Sequence, residues 1–331
     1  MKITNLKVLV TGGAGFIGSH LVDKLLETNN KVTVLDNYTS GKRENLSHCL
    51  DKIQLVEGDV CDKSLVYSIT RDIDVIFHLA VQCLRVSINN PEINHEVNAT
   101  GTLNLCLAAI KNWVRRFVYI SSSEVYGSAK YAPMNEVHPL LPTTIYGASK
   151  AAGELYTLSS YKTYNLESMV VRPFNTYGPR SHFEGAYGEV IPKFTLRLLN
   201  DKEPIIFGNG KQTRDFTYVS DTVAGIFMAA QCDELIGDVV NIAKASEVSI
   251  NALLDIIKKA LSKEHIDAVY DESRPGDVIR HVADITKAKR LFRYTPKISI
   301  EEGINKYIEW FTSQGYDYKE LFKKDITHNW Q

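Results

Sequence analysis

The sequence predicts an α/β fold whose core is a doubly wound parallel sheet. Short apolar runs at Lys7–Thr11, Lys31–Leu35, Ile53–Val56, Val75–Leu79 and Phe117–Ile120 alternate with helical patterns. That is the order strand–helix–strand units produce. The first run leads directly into a glycine-rich turn, and polar residues stand just past the ends of the later runs. Open parallel sheets bind ligands at those carboxyl ends. A chain of 331 residues is long enough for two domains, or for one large α/β unit with an appendage.

The turn after the first strand reads Thr11-Gly-Gly-Ala-Gly-Phe-Ile-Gly18, and Ile17, Leu21, Val22 and Leu25 then recur at helical spacing. Strand, glycine turn and helix in that order form the setting of a dinucleotide-binding, Rossmann-type fingerprint. Its glycines, Gly12, Gly15 and Gly18, are spaced G-x-x-G-x-x-G. They let the backbone turn tightly and approach a pyrophosphate at the positive end of the helix. The second strand ends at Asp36. A carboxylate roughly 20 residues past the loop suits the ribose 2′-hydroxyl of NAD and repels the 2′-phosphate of NADP. Lys42 and Arg43 follow closely and keep NADP open. Asp59 ends the next strand, as an adenine contact or as a polar turn residue.

Ser121-Ser122-Ser123-Glu124 lies past the Phe117–Ile120 strand. An extended backbone there points Ser122 and Glu124 to one side and Ser123 to the other; the plainer alternative is a tight serine-rich turn. Further on stands Tyr146-Gly147-Ala148-Ser149-Lys150. If it opens a helix, Tyr146 and Lys150 share a face one turn apart. A Lys⁺ beside a phenol lowers the tyrosine pKa from about 10, giving an acid/base for a sugar or alcohol hydroxyl. Alone, such a pair is as readily an exposed helix pair.

Composition excludes several classes. With 38 basic and 39 acidic residues, the formal net charge is −1, which predicts neither nucleic acid nor a membrane surface as partner. The five cysteines are odd in number and lack Cys-x-x-Cys spacing, so a reducing, cytoplasmic setting with free thiols is expected. Met1–Leu6 is too short and polar for a signal peptide, and no apolar run reaches membrane-spanning length.

In the C-terminal half, Glu189–Asn200, Asp221–Ala230 and Ile250–Leu261 read as helices and Val239–Ala243 as a strand. Ser299-Ile-Glu-Glu302 is a capping box opening a last helix, with Ile304, Tyr307, Ile308 and Phe311 on one face. Arg214 follows Asn209-Gly210, a hairpin-turn signal that places it on a strand. Arg274 lies in the turn sequence Ser273-Arg-Pro-Gly-Asp277.

Taken together, these motifs resemble the extended short-chain dehydrogenase/reductases, specifically the nucleotide-sugar epimerases and dehydratases. The similarity runs through Thr11–Gly18, Asp36-Asn37, Gly58-Asp59-Val60, Phe77-His78-Leu79-Ala80, Asn98 before Gly101-Thr102, and Ser122–Gly127. It continues through Tyr146–Lys150, Arg172–Arg180, Arg214–Asp221 and Arg274–Asp277. The resemblance implies residues 1–173 as the NAD-binding domain, joined by a returning strand near 239–243. It implies 174–331 as a smaller α/β domain for a nucleotide-diphosphate sugar. It implies Ser122, Tyr146 and Lys150 as a catalytic triad, with Glu124 beside them. Gly12, Gly15, Phe16, Ile17, Gly18, Asp36, Asn37, Asp59, Val60, Leu79, Ala80, Asn98, Tyr146, Lys150 and Pro173 would hold the cofactor. Ser123, Asn175, Arg180, Val190, Lys193, Arg214 and Arg274 would hold the substrate, with Arg214 and Arg274 on its diphosphate.

The resemblance also implies a shared first step, oxidation of the sugar at C4, and then divergence into 4,6-dehydration, 4-epimerisation or decarboxylation. Glu124 matches the glutamate that dehydratases use as the C5 base, where epimerases commonly carry a small residue; the sugar decarboxylases carry a glutamate too. Gly-Ala-Ser between Tyr146 and Lys150 differs from the charged filling typical of decarboxylases. Ser123 departs from the dTDP-glucose dehydratases, which have an aspartic acid there for the leaving hydroxyl. The loop after Ala80 is one residue short of the usual pattern. The expected activity is 4,6-dehydration, with 4-epimerisation and decarboxylation as alternatives. A non-catalytic NAD sensor is the reading from another class, and such proteins usually lack the tyrosine or lysine. A homodimer is expected through the helices near Glu92–Ile110 and Gly147–Tyr161, where Ala108, Ala109, Ala151, Ala152 and Gly153 permit close approach or face the sheet.

Overall fold

The computed structural model describes residues 1–330. The apolar runs become β1 (Lys7–Thr11), β2 (Lys31–Asp36), β3 (Ile53–Glu57), β4 (Val75–His78) and β5 (Arg116–Ile120), followed by β6 (Ser168–Pro173). Val239–Ile242 returns to pair in parallel with β6. The seven-stranded sheet runs Val239–Ile242, β6, β5, β4, β1, β2, β3, and every pairing is parallel. β4, β5 and β6 are buried along their whole length, as central parallel strands must be, whereas the edge strand β3 is not. The strand order reverses at β1 and β4, and that reversal opens a crevice at their carboxyl ends.

The helix Phe16–Leu26 follows the glycine turn and buries Leu21, Val22 and Leu25. Ile17, the remaining member of the predicted stripe, is half-buried and lines the crevice instead. The helix Ile145–Tyr164 starts where expected, because the Thr144 hydroxyl accepts the Gly147 N–H at 3.1 Å. It ends at Asn165, which takes the left-handed conformation (φ 58°) that asparagine tolerates. Ser299 caps the helix Ile300–Ser313 by accepting from Glu302 N at 3.1 Å.

Polar stitches tie these layers together. His78 sits between the hydroxyls of Thr11 (2.7 Å) and Thr102 (2.9 Å). Arg172, on β6, forks onto Glu154 of the Ile145–Tyr164 helix with bonds of 2.8 and 2.6 Å. It also donates to the Tyr126 hydroxyl (2.8 Å), which donates to Asn241 on the returning strand (2.7 Å).

A separate apolar cluster, including Phe183, Phe194, Ile206, Leu253, Tyr307 and Phe311, gathers the helices Val190–Leu199, Ile250–Leu261 and Ile300–Ser313. The helix Val219–Gln231 belongs to the sheet's core instead, through Val223, Ile226 and Ala230. The hairpin expected at Asn209-Gly210 does not form. Ile205–Phe207 pairs in parallel with Val269–Asp271, while Thr213–Arg214 pairs antiparallel with Val248–Ser249. The turn joins two ribbons, although Arg214 is on a strand as expected. Among the described residues, no helix is long and apolar enough to cross a membrane.

Candidate active site

A cavity of about 450 Å³ runs from the glycine turn across the carboxyl ends of the central strands to the C-terminal apolar cluster. At its first end, Gly12 has φ +69°, and a Cβ there would lie 2.7 Å from the Ala80 nitrogen. A Cβ on Gly18 would run into the Gly12 carbonyl. Only glycine lets the turn lie this close to β4. The helix behind it begins at Gly15 with no side-chain cap and no acidic residue in its first turn. Its leading N–H groups are therefore suited to a pyrophosphate.

Asp36 is 7% exposed and lines the cavity. Its two oxygens accept from Ala14 N and Tyr38 N, each at 2.9 Å. Burial raises its pKa and those two bonds resist the rise. Lys42 is turned away, donating to Glu184 at 2.5 Å and standing 4.6 Å over the Phe183 ring. Neither Lys42 nor Arg43 lines the cavity beside Asp36. Asn37 donates to Asp59 at 2.7 Å, and Asp59 also accepts from Cys61 N at 2.8 Å. Asp59 is thus both a turn residue and a cavity wall. Val60, Leu79, Ala80 and Pro173 line the same stretch. These residues fit NAD.

Asn98 stands just behind this wall. It is 1% exposed, lies outside the cavity wall, and its amide bonds Gln82, Asn94 and Ser149. It holds the loop after Ala80 from behind.

Beyond β5 the backbone stays extended only through Ser122 (φ −156°, ψ 152°) and then winds into a short 3₁₀ turn, Ser123–Val125. The Ser122 hydroxyl accepts Glu124 N at 3.2 Å. The alternation expected of an extended strand is lost, and Ser122, Ser123 and Glu124 all line the cavity. Tyr146 and Lys150 line it too.

The expected lowering of the Tyr146 pKa is not found. Burial drives it above the ordinary phenol range; the Ser122 hydroxyl pulls it down, while Glu124, Cys83 and Glu189 push it further up. Lys150 is 2% exposed, donates to the Ile120 carbonyl at 2.7 Å and stands 4.3 Å over the Tyr119 ring. Desolvation brings its own pKa down to about 7 against the pull of Glu154. Burial likewise raises Glu124, which Arg214 and Arg274 pull back down. A carboxyl whose charged form burial disfavours is better suited to taking up a proton than one in water.

At the far side, Arg214 donates to Thr213 O and Val278 O at 2.8 Å each and to Asp277 Oδ1 at 2.5 Å. Arg274 donates to that same oxygen at 2.8 Å. Two guanidinium groups thus share one carboxylate on the cavity wall. Arg274 Nε and Asn175 Oδ1 are buried with no protein hydrogen-bond partner, the condition a ligand relieves. Val190 and Lys193 line this end, but Arg180 does not. Arg180, at φ +66°, donates to Asp23 on the Phe16–Leu26 helix at 2.8 Å. There it braces that helix.

The wall also holds residues given no role above: Gln82 and Cys83 in the short loop, Arg85 on the helix Leu84–Asn89 that follows it, then Tyr187, Glu189 and Trp330. Arg85 donates to Tyr187 O (2.9 Å) and to Glu189 (2.8 Å), linking that loop to the Gly185–Val190 segment. The loop's missing residue signalled a reshaped pocket. Nothing in the sequence signalled Trp330.

Comparison with known proteins agrees with this geometry. The family model described as GDP-mannose 4,6 dehydratase matches residues 9–307. A Methanocaldococcus jannaschii protein provisionally named UDP-glucose 4-epimerase is 40% identical over 92% of this chain and 97% of its own length. UDP-glucuronic acid decarboxylase 1 of Xenopus tropicalis is 34% identical over 93% of this chain and 72% of that protein. The crystal structure of the Streptomyces venezuelae dTDP-glucose 4,6-dehydratase DesIV, with NAD bound, superposes with a TM-score of 0.89 at 31% identity, covering 93% of this chain and 98% of that one. The chain belongs to the NAD-dependent nucleotide-sugar epimerase and dehydratase family of extended short-chain dehydrogenases/reductases.

Proposed function

We propose that the protein is a nucleotide-sugar 4,6-dehydratase that works through a 4-keto intermediate. Residues 1–173 carry the cofactor site and residues 174–331 most of the substrate site. One observation carries the choice of reaction: Glu124, raised by burial, lines the same cavity wall as Ser122 and Tyr146. Ser122 holds the sugar O4, and Tyr146 takes the proton from that hydroxyl. NAD⁺, held by the glycine turn and Asp36, would supply the acceptor for the C4 hydride and the donor for its later return. Lys150, one helical turn on, donates to the Ile120 carbonyl at 2.7 Å and lines the cavity with Tyr146. With C4 oxidised to a ketone, the C5 proton is acidic, and Glu124 removes it. The C6 hydroxyl then leaves as water with a proton drawn from solvent, the hydride is returned to C6, and C5 takes a proton from solvent. Arg214 and Arg274 grip the diphosphate through forked, charge-assisted bonds.

The second reading is 4-epimerisation. It is favoured by the Methanocaldococcus relative and by Ser123, which offers no carboxylic acid to the leaving hydroxyl. Incubation with UDP-, dTDP-, GDP- and CDP-sugars, read by mass spectrometry, separates the readings. Loss of one water supports dehydration, an unchanged mass supports epimerisation, and loss of CO₂ supports decarboxylation.

The same reading includes a homodimer. Ala108, Ala109 and Gly153 are buried within the chain, but Ile93, Leu155 and Tyr161 on the two expected helices are exposed apolar residues. Light scattering at micromolar concentration should give twice the chain mass, and a monomer would remove the assignment.

A further inference from the structure

The last residues of the chain, remote in sequence from every motif above, close one end of the cavity. Asn329 and Trp330 line it together with Ile206, Phe207 and Gln212. Gln212 stands two residues before Arg214 and donates to Phe207 O at 2.7 Å, so this aromatic corner adjoins the arginines. Trp330 is 6% exposed and meets the Phe207 ring edge-on at 4.5 Å and 84°. His328 packs edge-on to Trp330 at 5.3 Å, and its Nε2 lies 2.9 Å from Asp271.

Buried ionic anchors hold this segment in place. Asp325, with a side chain only 3% exposed, pairs with Lys193 at 3.3 Å and with Arg197 at 3.0 Å. Lys193 also donates to the carbonyls of Ile326 and Thr327, the latter at 3.4 Å. Asn329 donates to Gly188 O at 3.1 Å, one residue before Glu189. Lys193, which the motif pattern assigns to substrate, therefore has its ammonium turned to the tail.

We infer that residues 325–330 form a strap completing the nucleoside end of the substrate site, with Trp330 a stacking contact for the base and Lys193 positioning the strap. The inference rests on the nucleotide-sugar reading. A diphosphate held by Arg214 and Arg274, with its sugar directed to Glu124 and Tyr146, leaves its base to the aromatic corner on the arginines' other flank. A base presents a π face, and an aromatic ring seated edge-on against a second one is a firm surface for it.

Titration calorimetry of the full chain with UDP, dTDP, GDP, CDP and NAD tests this. Trp330→Leu keeps the apolar fill, and Trp330→Ala removes it. Both should bind the preferred nucleoside diphosphate roughly tenfold more weakly, the worth of one base–aromatic contact, with NAD affinity unchanged. Lys193→Met should weaken the same nucleotide and spare NAD. Unaltered nucleotide affinity in Trp330→Leu overturns the strap while leaving the nucleotide-sugar reading intact. If wild-type protein binds none of the four nucleotides, both readings fall.

Discussion

Replacing Glu154 by glutamine tests stability and chemistry at once. Its side chain is 1% exposed and that of Arg172 is 4% exposed, so the pair is desolvated on both sides. Glutamine keeps the shape but leaves the guanidinium without an opposite charge. Breaking a buried pair from one side costs about 3–5 kcal/mol. For a chain of 331 residues that lowers Tm by roughly 4–7 °C. Glu154 is also the opposing pull on Lys150, whose pKa burial has already brought to about 7. Without it, Lys150 loses its proton at lower pH, so the alkaline limb of kcat/KM should move downward. Differential scanning fluorimetry and a pH–rate profile read the two effects. Arg172→Met in the same chain should restore part of the stability, because it removes the stranded charge, but should leave the pH profile shifted. A Tm within about 1 °C of wild type, below what one kcal/mol produces in a chain of this size, together with an unmoved alkaline limb, would refute the reasoning.

Three further outcomes follow from the same geometry. Lys150→Met should abolish turnover yet be more stable than wild type near neutral pH. The wild-type lysine has a folded pKa of about 7, below its unfolded value of about 10.4. Its burial cost is therefore full below pH 7 and fades as pH rises, so wild-type stability should climb from about pH 7 to 10 and the variant should lose that slope; equal slopes in denaturant melts would contradict this. Asp36→Ala should weaken NAD by about ten- to a hundredfold and narrow its preference over NADP, since a charged hydrogen bond and a repulsion are both lost; a wild-type preference for NADP would point back to Lys42 or Arg43. Arg274→Ala should raise KM for the nucleotide sugar by about tenfold or more while changing kcat less, and an unchanged KM would remove Arg274 from the diphosphate.

Much of the sheet could be read from local pattern, because central parallel strands are continuous apolar runs and their register follows the chain order. The glycine turn, Asp36 and the Tyr146–Lys150 helix were equally legible, since each depends on neighbours within one or two turns of chain. What escaped were properties set by distant partners. The phenol of Tyr146 was expected to acidify beside a lysine, but burial dominates and the lysine faces the Ile120 carbonyl. Of the two readings of Ser122–Glu124, an extended strand or a tight serine-rich turn, the turn holds, because the Ser122 hydroxyl caps it and brings all three side chains to the cavity. Asn98 and Arg180 belong to motifs whose polar atoms are taken up by Gln82, Ser149 and Asp23. The wall contributed by Trp330 rests on contacts with Phe207, more than a hundred residues earlier, which no local pattern can announce.

The central claim is that Glu124 removes the C5 proton of a 4-keto sugar. Turnover of the accepted nucleotide sugar in heavy water, with the product examined by mass spectrometry and NMR, measures that directly. Wild-type protein should give a product lighter by one water and carrying deuterium at C5. Glu124→Gln should keep its fold and NAD affinity but lose elimination by about 10²–10⁴-fold, the worth of a positioned base, and should accumulate the 4-keto intermediate. Tyr146→Phe should form no ketone at all. A wild-type product of unchanged mass with no deuterium at C5 would contradict the account, making the protein a 4-epimerase in which Glu124 is only a polar wall of the pocket.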